Sequence, residues 1–223
     1  MTPDASAPAG ARPRARRGEG DRLRDEIIAA AEALLLETGS EDAVSIRAVA
    51  DRVGVTAPSI YRHFTDKQHL LFEVCAIHFA RFDAVMAAAV ADVDADPVAA
   101  LRALGQAYVR FAVEDPEHYR IMFMGRSELT PEQYADEVFA AGGAFPTLVA
   151  TLQAGIDAGR FRDDLPPAHD IAVVVWALVH GVASLAVTKP AFPAAPVADR
   201  AALACEVFLR GLLRRDDAAD SSA

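Results

Sequence analysis

Apolar residues recur along this chain at the three- and four-residue spacing of amphipathic helices, and polar residues fill the positions between them. In the first such segment, Leu23, Ile27, Ala31 and Leu34 fall on one helix face, and Gly39 follows as a C-terminal cap. Alternating, strand-like runs bounded by hairpin turn residues do not occur in the sequence. The pattern therefore predicts an all-α protein of about nine helices.

Capping residues and helix breakers divide this pattern into separate helices. Ser, Thr and Asp side chains accept hydrogen bonds from the first N–H groups of a helix, whereas Gly and Pro end helices. A capping-box sequence at Thr130 opens the seventh helix, and Gly142, Gly143 and Pro146 should break or kink it. We expect helices at 21–37, 46–53, 57–64, 67–91, 130–159, 168–188 and 197–214, and two more that start after Asp96 and Asp115.

Residues 45–67 read SIRAVADRVGVTAPSIYRHFTDK and carry the most specific pattern in the chain. Two helices joined by a tight turn at Gly54, the second about two turns long, form the layout of a helix-turn-helix. Its apolar positions, such as Val49 and Ile60, can pack inward against the first helix. The side chains left on the outside are Arg47, Thr56, Pro58, Ser59, Tyr61, Arg62, His63 and Lys67.

The order of a Ser-capped helix, a Val-Ala pair, a Gly-Val turn, a Tyr-x-x-Phe helix and a following Lys resembles the TetR family signature over residues 23–71. The resemblance implies that Tyr61, His63 and Lys67 contact phosphates of double-stranded DNA. It further implies that Arg47 and Thr56 bind the DNA backbone or base edges. The other three outward residues, Pro58, Ser59 and Arg62, would lie nearest the bases. Short side chains at the start of a recognition helix let it enter the major groove.

Charge is distributed in agreement with DNA binding at the N-terminal end only. The whole chain carries a formal charge of −10, which argues against indiscriminate coating of nucleic acid. Between positions 12 and 24, however, six arginines face only two acidic residues. Four of these arginines, Arg12, Arg14, Arg16 and Arg17, belong to a predicted disordered basic arm at 1–20. This arm either enters a minor groove or, as we favour, is only a soluble tail.

The family resemblance also implies the remaining organisation. A helix-turn-helix domain at 21–66 would be followed by a dimerisation and ligand-binding domain at 67–215 and a disordered tail at 216–223. The protein would be a homodimer that binds a palindromic operator and is released by a small organic ligand. Cys75 and Cys205 lack the spacing of a disulfide framework or a zinc knuckle, which fits a reducing cytoplasm.

Residues 171–187 carry no formal charge and reach the lower length limit of a transmembrane helix. We prefer a buried helix, because His180 and Ser184 interrupt it and we expect no second span. A helix that is apolar all round needs burial on two sides, and a dimer supplies the second. The pattern formed by Trp176, His180 and Gly181 resembles that of a TetR subgroup whose C-terminal domain is named for its Trp-His-Gly residues. The predicted dimer interface comprises Trp176, His180, Gly181, Ser184, Leu203, Val207, Phe208, Gly211 and Leu212.

A ligand sensor needs a cavity, and the middle helices offer aromatic and methionine side chains with a few polar tips. The same residues are equally what a helical core contains. The candidate ligand-binding residues are His78, Phe82, Tyr108, Phe111, Tyr119, Met122, Phe123, Phe145 and Trp176.

Trp176, His180 and Ser184 share one helix face, which could indicate a catalytic or metal cluster. We favour a structural role, because polar groups on an apolar helix usually bind each other or a carbonyl. The sequence has no HExxH pair, P-loop, dinucleotide fingerprint or GxSxG motif, so we expect no enzyme, metal or cofactor.

Two other interpretations remain at this stage. The protein could be an activator or a ligand-independent DNA-binding protein of the same fold. It could also be a helical enzyme or a membrane-associated protein that carries a helix-turn-helix-like segment.

Overall fold

The computed structural model describes residues 19–91, 93, 96–123, 143–190 and 196–214. Apart from one isolated bridge between Phe161 and Leu213, these residues form no β-structure. The prediction of an all-α fold with about nine helices is confirmed. In the described part of the chain the helices, numbered in order, are α1 (Glu19–Thr38), α2 (Ile46–Val53), α3 (Ala57–Ile60), α4 (Lys67–Ala91), α5 (Pro97–Glu114), α6 (Pro116–Phe123), α7 (Ala144–Asp157), α8 (Ala168–Thr188) and α9 (Val197–Leu212), with a 3-10 turn at Glu41–Ala43.

The chain divides into two compact units, Met1–Cys75 and Ala76–Ala223. Helix α4 begins in the first unit and continues into the second. The predicted basic arm lies outside the described residues except for positions 19 and 20, which begin α1, and the predicted tail at 216–223 lies outside them entirely. The predicted capping box at Thr130 and the break at Gly142 also lie outside the described residues.

In the first unit, the ends of α2 follow the sequence prediction closely. The hydroxyl of Ser45 accepts a hydrogen bond from the Ala48 N–H at 3.1 Å and so caps the helix start. Gly54 ends the helix with a φ of 77°, a left-handed conformation that glycine adopts without steric cost. Between these ends Val49 and Ala50 are buried, so α2 presents its apolar face to the core of this unit.

Helix α3 is shorter than predicted. It ends at Ile60 instead of Phe64, and a turn covers residues 61–63. The N–H groups of His63 and Phe64 both bind the Ile60 carbonyl oxygen, which closes the turn. The Phe64 ring is buried in the core, and Asp66, two residues later, accepts a hydrogen bond from the His69 N–H and so already caps α4. The chain leaves α3 early because both of these contacts must be made. The prediction of two helical turns here was wrong.

The second unit packs α5, α7, α8 and α9 around one apolar core. Helices α5 and α9 approach closely at Gly105, where an added Cβ would lie 2.4 Å from the Cys205 Sγ. Arg102 of α5 and Glu206 of α9 also form an ion pair at 2.7 Å. Burial raises the pKa of the Cys205 thiol, which favours the unreactive protonated form.

The predicted helix starts after Asp96 and Asp115 are confirmed, although one cap works differently. Asp96 caps α5, and its carboxylate accepts hydrogen bonds from the N–H groups of Val98 and Ala99. Asp115 precedes α6 as predicted, but its carboxylate binds Arg81 at 2.9 Å and also contacts His118. Burial raises the pKa of the Asp115 carboxyl group, but the hydrogen bonds and electrostatic attraction from His118 and Arg81 outweigh it, so the net shift is downward.

Two helices, Lys67–Ala91 and Ala168–Thr188, are long and apolar enough to cross a membrane by length and composition alone. Helix α4 was not singled out from the sequence as a second candidate, and this alanine- and phenylalanine-rich helix passes the test despite Arg81 and Asp83. Core helices of water-soluble proteins share these properties, so the finding carries little weight. In α8, the side chains of Ile171, Val175 and Val179 are buried in the core of the second unit.

Candidate functional sites

The outward residues of the helix-turn-helix segment lie on the surface of the first unit. Arg47, Thr56, Pro58, Tyr61 and Arg62 are exposed, and the phenol ring of Tyr61 is among the most exposed large apolar side chains described, at 55%. This surface is therefore available to a binding partner.

Ser59, His63 and Lys67 are half-buried at the edge of the same segment. The hydroxyl groups of Thr56 and Ser59 bind each other at 3.1 Å, so Thr56 occupies the predicted cap position of α3 without capping a backbone N–H. The ammonium group of Lys67 donates a hydrogen bond to the Glu41 carbonyl oxygen. Since an ammonium group has three N–H donors, this bond positions Lys67 at the start of α4 and leaves capacity for an anion.

Two other arginines among the described residues of this unit are paired with carboxylates. Arg52 binds Glu37 at 2.7 Å, and Arg24 binds Glu73 at 2.6 Å and lies over the Phe64 ring. These pairs stabilise the unit modestly and occupy the two guanidinium groups. Arg52 is thus a suitable control for the outward cations.

The second unit contains a cavity of about 650 Å³, a figure that includes the space open to solvent. Helices α4, α5, α7 and α8 supply most of its wall. The described lining residues are Phe79, Phe82, Asp83, Met86, Leu101, Leu104, Gly105, Tyr108, Phe123, Ala144, Phe145, Leu148, Val175, Trp176 and Val179.

Five of the candidate ligand-binding residues line this cavity: Phe82, Tyr108, Phe123, Phe145 and Trp176. The other four are packed elsewhere in the second unit. His78 is buried with its ring centroid 4.4 Å from that of His118, and Phe111 packs against Phe82 and Arg81. Tyr119 and Met122 are buried core residues of α6.

Sequence reasoning missed the remaining lining residues, above all Asp83. Phe79, Phe82, Asp83 and Met86 follow the three- and four-residue spacing of one face of α4, a signal that was present in the sequence. Asp83 accepts a hydrogen bond from the Ala144 N–H at 2.7 Å, at the start of α7. Burial raises the pKa of the Asp83 carboxyl group, and the bond from Ala144 opposes this shift.

A buried polar network lies beside the cavity. The hydroxyl oxygens of Tyr108 and Tyr119 both lie 2.9 Å from Nδ1 of His180, and the indole N–H of Trp176 donates to Tyr108 at 3.3 Å. Burial lowers the pKa of His180 and raises the pKa of Tyr119, so the uncharged forms are favoured. The polar partners of His180 are therefore two tyrosines, in agreement with the structural role favoured for this residue.

An apolar surface runs along α8 and α9, and we call it the α8–α9 face. Its most exposed members are Val174 at 60% and Leu203 and Val207 at 63% each. Leu178 and Leu185 of α8 are also exposed. The residues of this face are Val174, Leu178, Gly181, Leu185, Leu203, Val207 and Gly211.

This face overlaps the predicted dimer interface only in part. Leu203, Val207 and Gly211 are exposed as an interface requires, and Gly181 and Phe208 are half-buried. Leu212 is buried within the unit, and the side chains of Trp176 and His180 bind inward to Tyr108. Ser184 is half-buried on the same side of α8. The choice of Trp176, His180 and Leu212 is thus corrected, since the outward side of α8 carries Val174, Leu178 and Leu185 instead.

Two family models match this chain. The model described as "Bacterial regulatory proteins, tetR family" matches residues 27–74, and the one described as "Tetracyclin repressor-like, C-terminal domain" matches residues 101–208. The first match covers the helix-turn-helix segment, and the second covers most of the cavity and the α8–α9 face.

Curated relatives and solved structures agree with these matches. The HTH-type transcriptional activator FasR of Mycolicibacterium smegmatis is 30% identical over 158 residues, which are 70% of this chain and 71% of that protein. The HTH-type transcriptional repressor KstR of Mycobacterium tuberculosis is 39% identical over 66 residues, 30% of each chain. The solved structure of a protein of unknown function from Rhodococcus sp. RHA1 matches this chain with a TM-score of 0.73 at 30% identity, over 86% of this chain and 96% of that protein's chain.

Proposed function

Since this chain belongs to the TetR family of bacterial regulatory proteins, we propose that it is a repressor that binds a palindromic operator as a homodimer and leaves it when a small organic ligand binds. Membership of the family makes it a DNA-binding transcriptional regulator. The observation that carries the proposal is the exposed surface formed by Arg47, Tyr61 and Arg62 beside Lys67 in a family-matched helix-turn-helix. A regulator that binds chromosomal DNA acts in the cytoplasm, so we propose a cytoplasmic location. We propose no enzymatic role.

On the DNA side, each outward group has a distinct role in the proposal. Tyr61, His63 and Lys67 bind phosphates and fix the register of the protein on the duplex. Arg47 and Thr56 bind backbone or base edges. The short residues Pro58 and Ser59, together with Arg62, enter the major groove nearest the bases. The exposure of Tyr61 and the position of Lys67 at the start of α4 support this assignment.

For the dimer, we propose that a second copy of the chain covers the α8–α9 face. An exposed apolar patch of this kind on two adjacent helices is unfavourable in water and typical of an interface. A two-fold axis through it would place the same face on both subunits, so one surface serves both partners. The dimer would then present two recognition helices about one DNA turn apart, roughly 34–36 Å.

For the ligand, we propose the cavity of the second unit. Its wall is mainly aromatic and aliphatic, which suits a ligand with a large apolar part. Trp176 lines it, and His180 and Gly181 follow on the same helix, so we further propose that the chain belongs to the subgroup named for Trp-His-Gly. Helix α4 carries both Lys67 and the lining residue Phe82, which makes it the element through which the ligand would act.

Activation is the second candidate, because FasR is named an activator whereas KstR is named a repressor. Transcription in vitro from a template that carries the operator distinguishes a repressor from an activator. A repressor lowers the transcript yield, and the ligand restores it, whereas an activator raises the yield.

Ligand release predicts a reciprocal effect on binding. If the ligand weakens operator binding, the operator must weaken ligand binding by the same factor, because both reflect one coupling free energy. We expect a factor of about 5 to 150, the usual range of such couplings. Fluorescence titrations of the ligand with free protein and with the protein–operator complex measure it. Equal ligand affinity in the two titrations would contradict release by this ligand.

A further inference from the structure

We propose that the effector of this regulator is a lipophilic cation, an amine or quaternary ammonium compound, whose charged head lies at Asp83 and whose apolar part lies among the aromatic rings of the cavity. This inference rests on the proposed ligand-sensing function and assigns a chemical class to the ligand.

The charges of the cavity lining favour a cationic ligand. Asp83 is the one acidic residue among the described lining residues, and that lining contains no Lys, Arg or His. An anionic head group would lose its hydration in the cavity without meeting an opposite charge, and it would face the like charge of Asp83. A cation would instead form an ion pair in apolar surroundings, where opposite charges attract more strongly than in water.

The position of Asp83 also favours a cationic ligand. The Ala144 N–H binds Oδ1 of Asp83 at 2.7 Å and thereby holds the carboxylate at the cavity wall. A carboxylate has acceptor sites for about four hydrogen bonds, so this bond leaves it able to accept the N–H of an amine ligand or to pair with the charge of a quaternary ammonium group. The raised pKa of Asp83 records that its negative charge is poorly solvated there, and a cationic ligand would compensate for that loss.

The aromatic wall of the cavity suits the same class of ligand. The rings of Phe79 and Phe123 meet edge to face at 5.4 Å, and those of Phe145 and Trp176 meet at 5.9 Å. All four residues line the same cavity as Asp83. Aromatic faces attract organic cations, most strongly when the cation is desolvated. The wall therefore accepts both the apolar part and the charge of such a ligand.

The other polar groups at the cavity already have partners within the protein. The indole N–H of Trp176 donates to the Tyr108 hydroxyl, which in turn lies 2.9 Å from Nδ1 of His180. A ligand that bound these groups would have to replace bonds that exist in the free protein, which brings little net gain. Asp83 is thus the polar group that best determines the ligand class.

The single tryptophan of the chain, Trp176, provides the readout, because its fluorescence reports on the cavity it lines. We would titrate the purified full-length protein at pH 7 with decylammonium, 1-decanol and decanoate, keeping the two ionic probes below their micelle concentrations and 1-decanol below its solubility limit. These probes share a ten-carbon chain and differ in head-group charge. We expect decylammonium to bind with 1:1 stoichiometry and at least about tenfold more tightly than the other two, as one charge-assisted contact allows.

Asp83→Asn tests the assigned residue, because the amide oxygen can still accept the Ala144 bond while the charge is removed. We expect this variant to lose the preference for decylammonium over decanol, and the exposed control Asp163→Asn to keep it. Equal binding of the three probes to the unmodified protein, tighter binding of decanoate, no binding of any probe, or an unchanged preference in Asp83→Asn would overturn the inference.

The same probes separate this inference from the proposed release mechanism. Selective binding of decylammonium without release of DNA supports the ligand class and contradicts release by ligand. Release of DNA by decanoate at a lower concentration than decylammonium supports ligand release and overturns the ligand class.

Discussion

Replacing Val207 by glutamate is expected to convert the dimer into monomers and to lower operator affinity by about 100-fold, the equivalent of a few kcal/mol at the interface. Val207 is 63% exposed on the α8–α9 face, so the single protomer tolerates a charge there. In the dimer, a carboxylate would be buried in an apolar interface without a partner. The monomer would also present only one recognition helix to the operator.

Sedimentation of the variant measures its mass in solution, and fluorescence anisotropy with labelled operator measures its affinity. Val113→Glu is the matched control, because Val113 is 45% exposed on α5, outside the α8–α9 face. This control should remain dimeric and bind the operator normally. A Val207→Glu protein that stays dimeric would show that the second copy uses another surface.

The combined change Tyr61→Ala and Lys67→Ala is expected to weaken operator binding by about 100-fold at moderate salt, because two phosphate contacts per subunit are lost. The loss of the lysine charge should also make the dependence of affinity on salt shallower by about one unit per phosphate contact. Anisotropy titrations at four or five salt concentrations give both quantities.

Circular dichroism should show that the double variant keeps its helices, since Tyr61 is exposed and Lys67 contacts the backbone of Glu41 at the surface of the first unit. Arg52→Ala removes a cation from the same unit, but this cation is paired with Glu37. It should change operator affinity much less. Operator binding that survives the double change would contradict the proposed recognition surface and favour a protein that merely carries a helix-turn-helix-like segment.

Helix starts could be predicted from the sequence because their cause is local. Ser45, Asp66 and Asp96 accept hydrogen bonds from N–H groups two or three positions later, and these caps require no distant residue. The end of α3 depends instead on where Phe64 can bury its ring, and that burial involves residues far along the chain, such as Arg24. The local pattern could not supply this information.

The α8–α9 face, where we propose the dimer interface, illustrates a different limit. Helix α8 is apolar on every side, so its periodicity cannot tell which side faces the core. Trp176 and His180 looked suitable for an interface, but their polar groups bind Tyr108 inside the unit. Val174 and Leu178 are left outside. Only the packing of the other helices determines how α8 is rotated about its own axis, and therefore which of its sides faces the core.

At the cavity, the sequence predicted the types of residue in the wall better than the contacts that each residue makes. The aromatic residues Phe82, Phe145 and Trp176 were expected at a ligand site, and they line the cavity. Asp83 shares a face of α4 with Phe79, Phe82 and Met86, a spacing that the sequence contains. The chain gives no local sign, however, that the N–H of Ala144, 61 positions later, binds the Asp83 carboxylate. The position of Asp83 on this face was therefore open to sequence reasoning, but its contact with Ala144 was not.

Selection of preferred sites from random duplex DNA with the purified full-length protein tests the central claim, that this is a dimeric operator-binding regulator. We expect enrichment of two inverted half-sites whose centres lie about one helical turn apart, 10 to 10.5 base pairs, as two symmetry-related recognition helices require. Enrichment of a single half-site without a symmetric partner, or of no sequence at all, would contradict it.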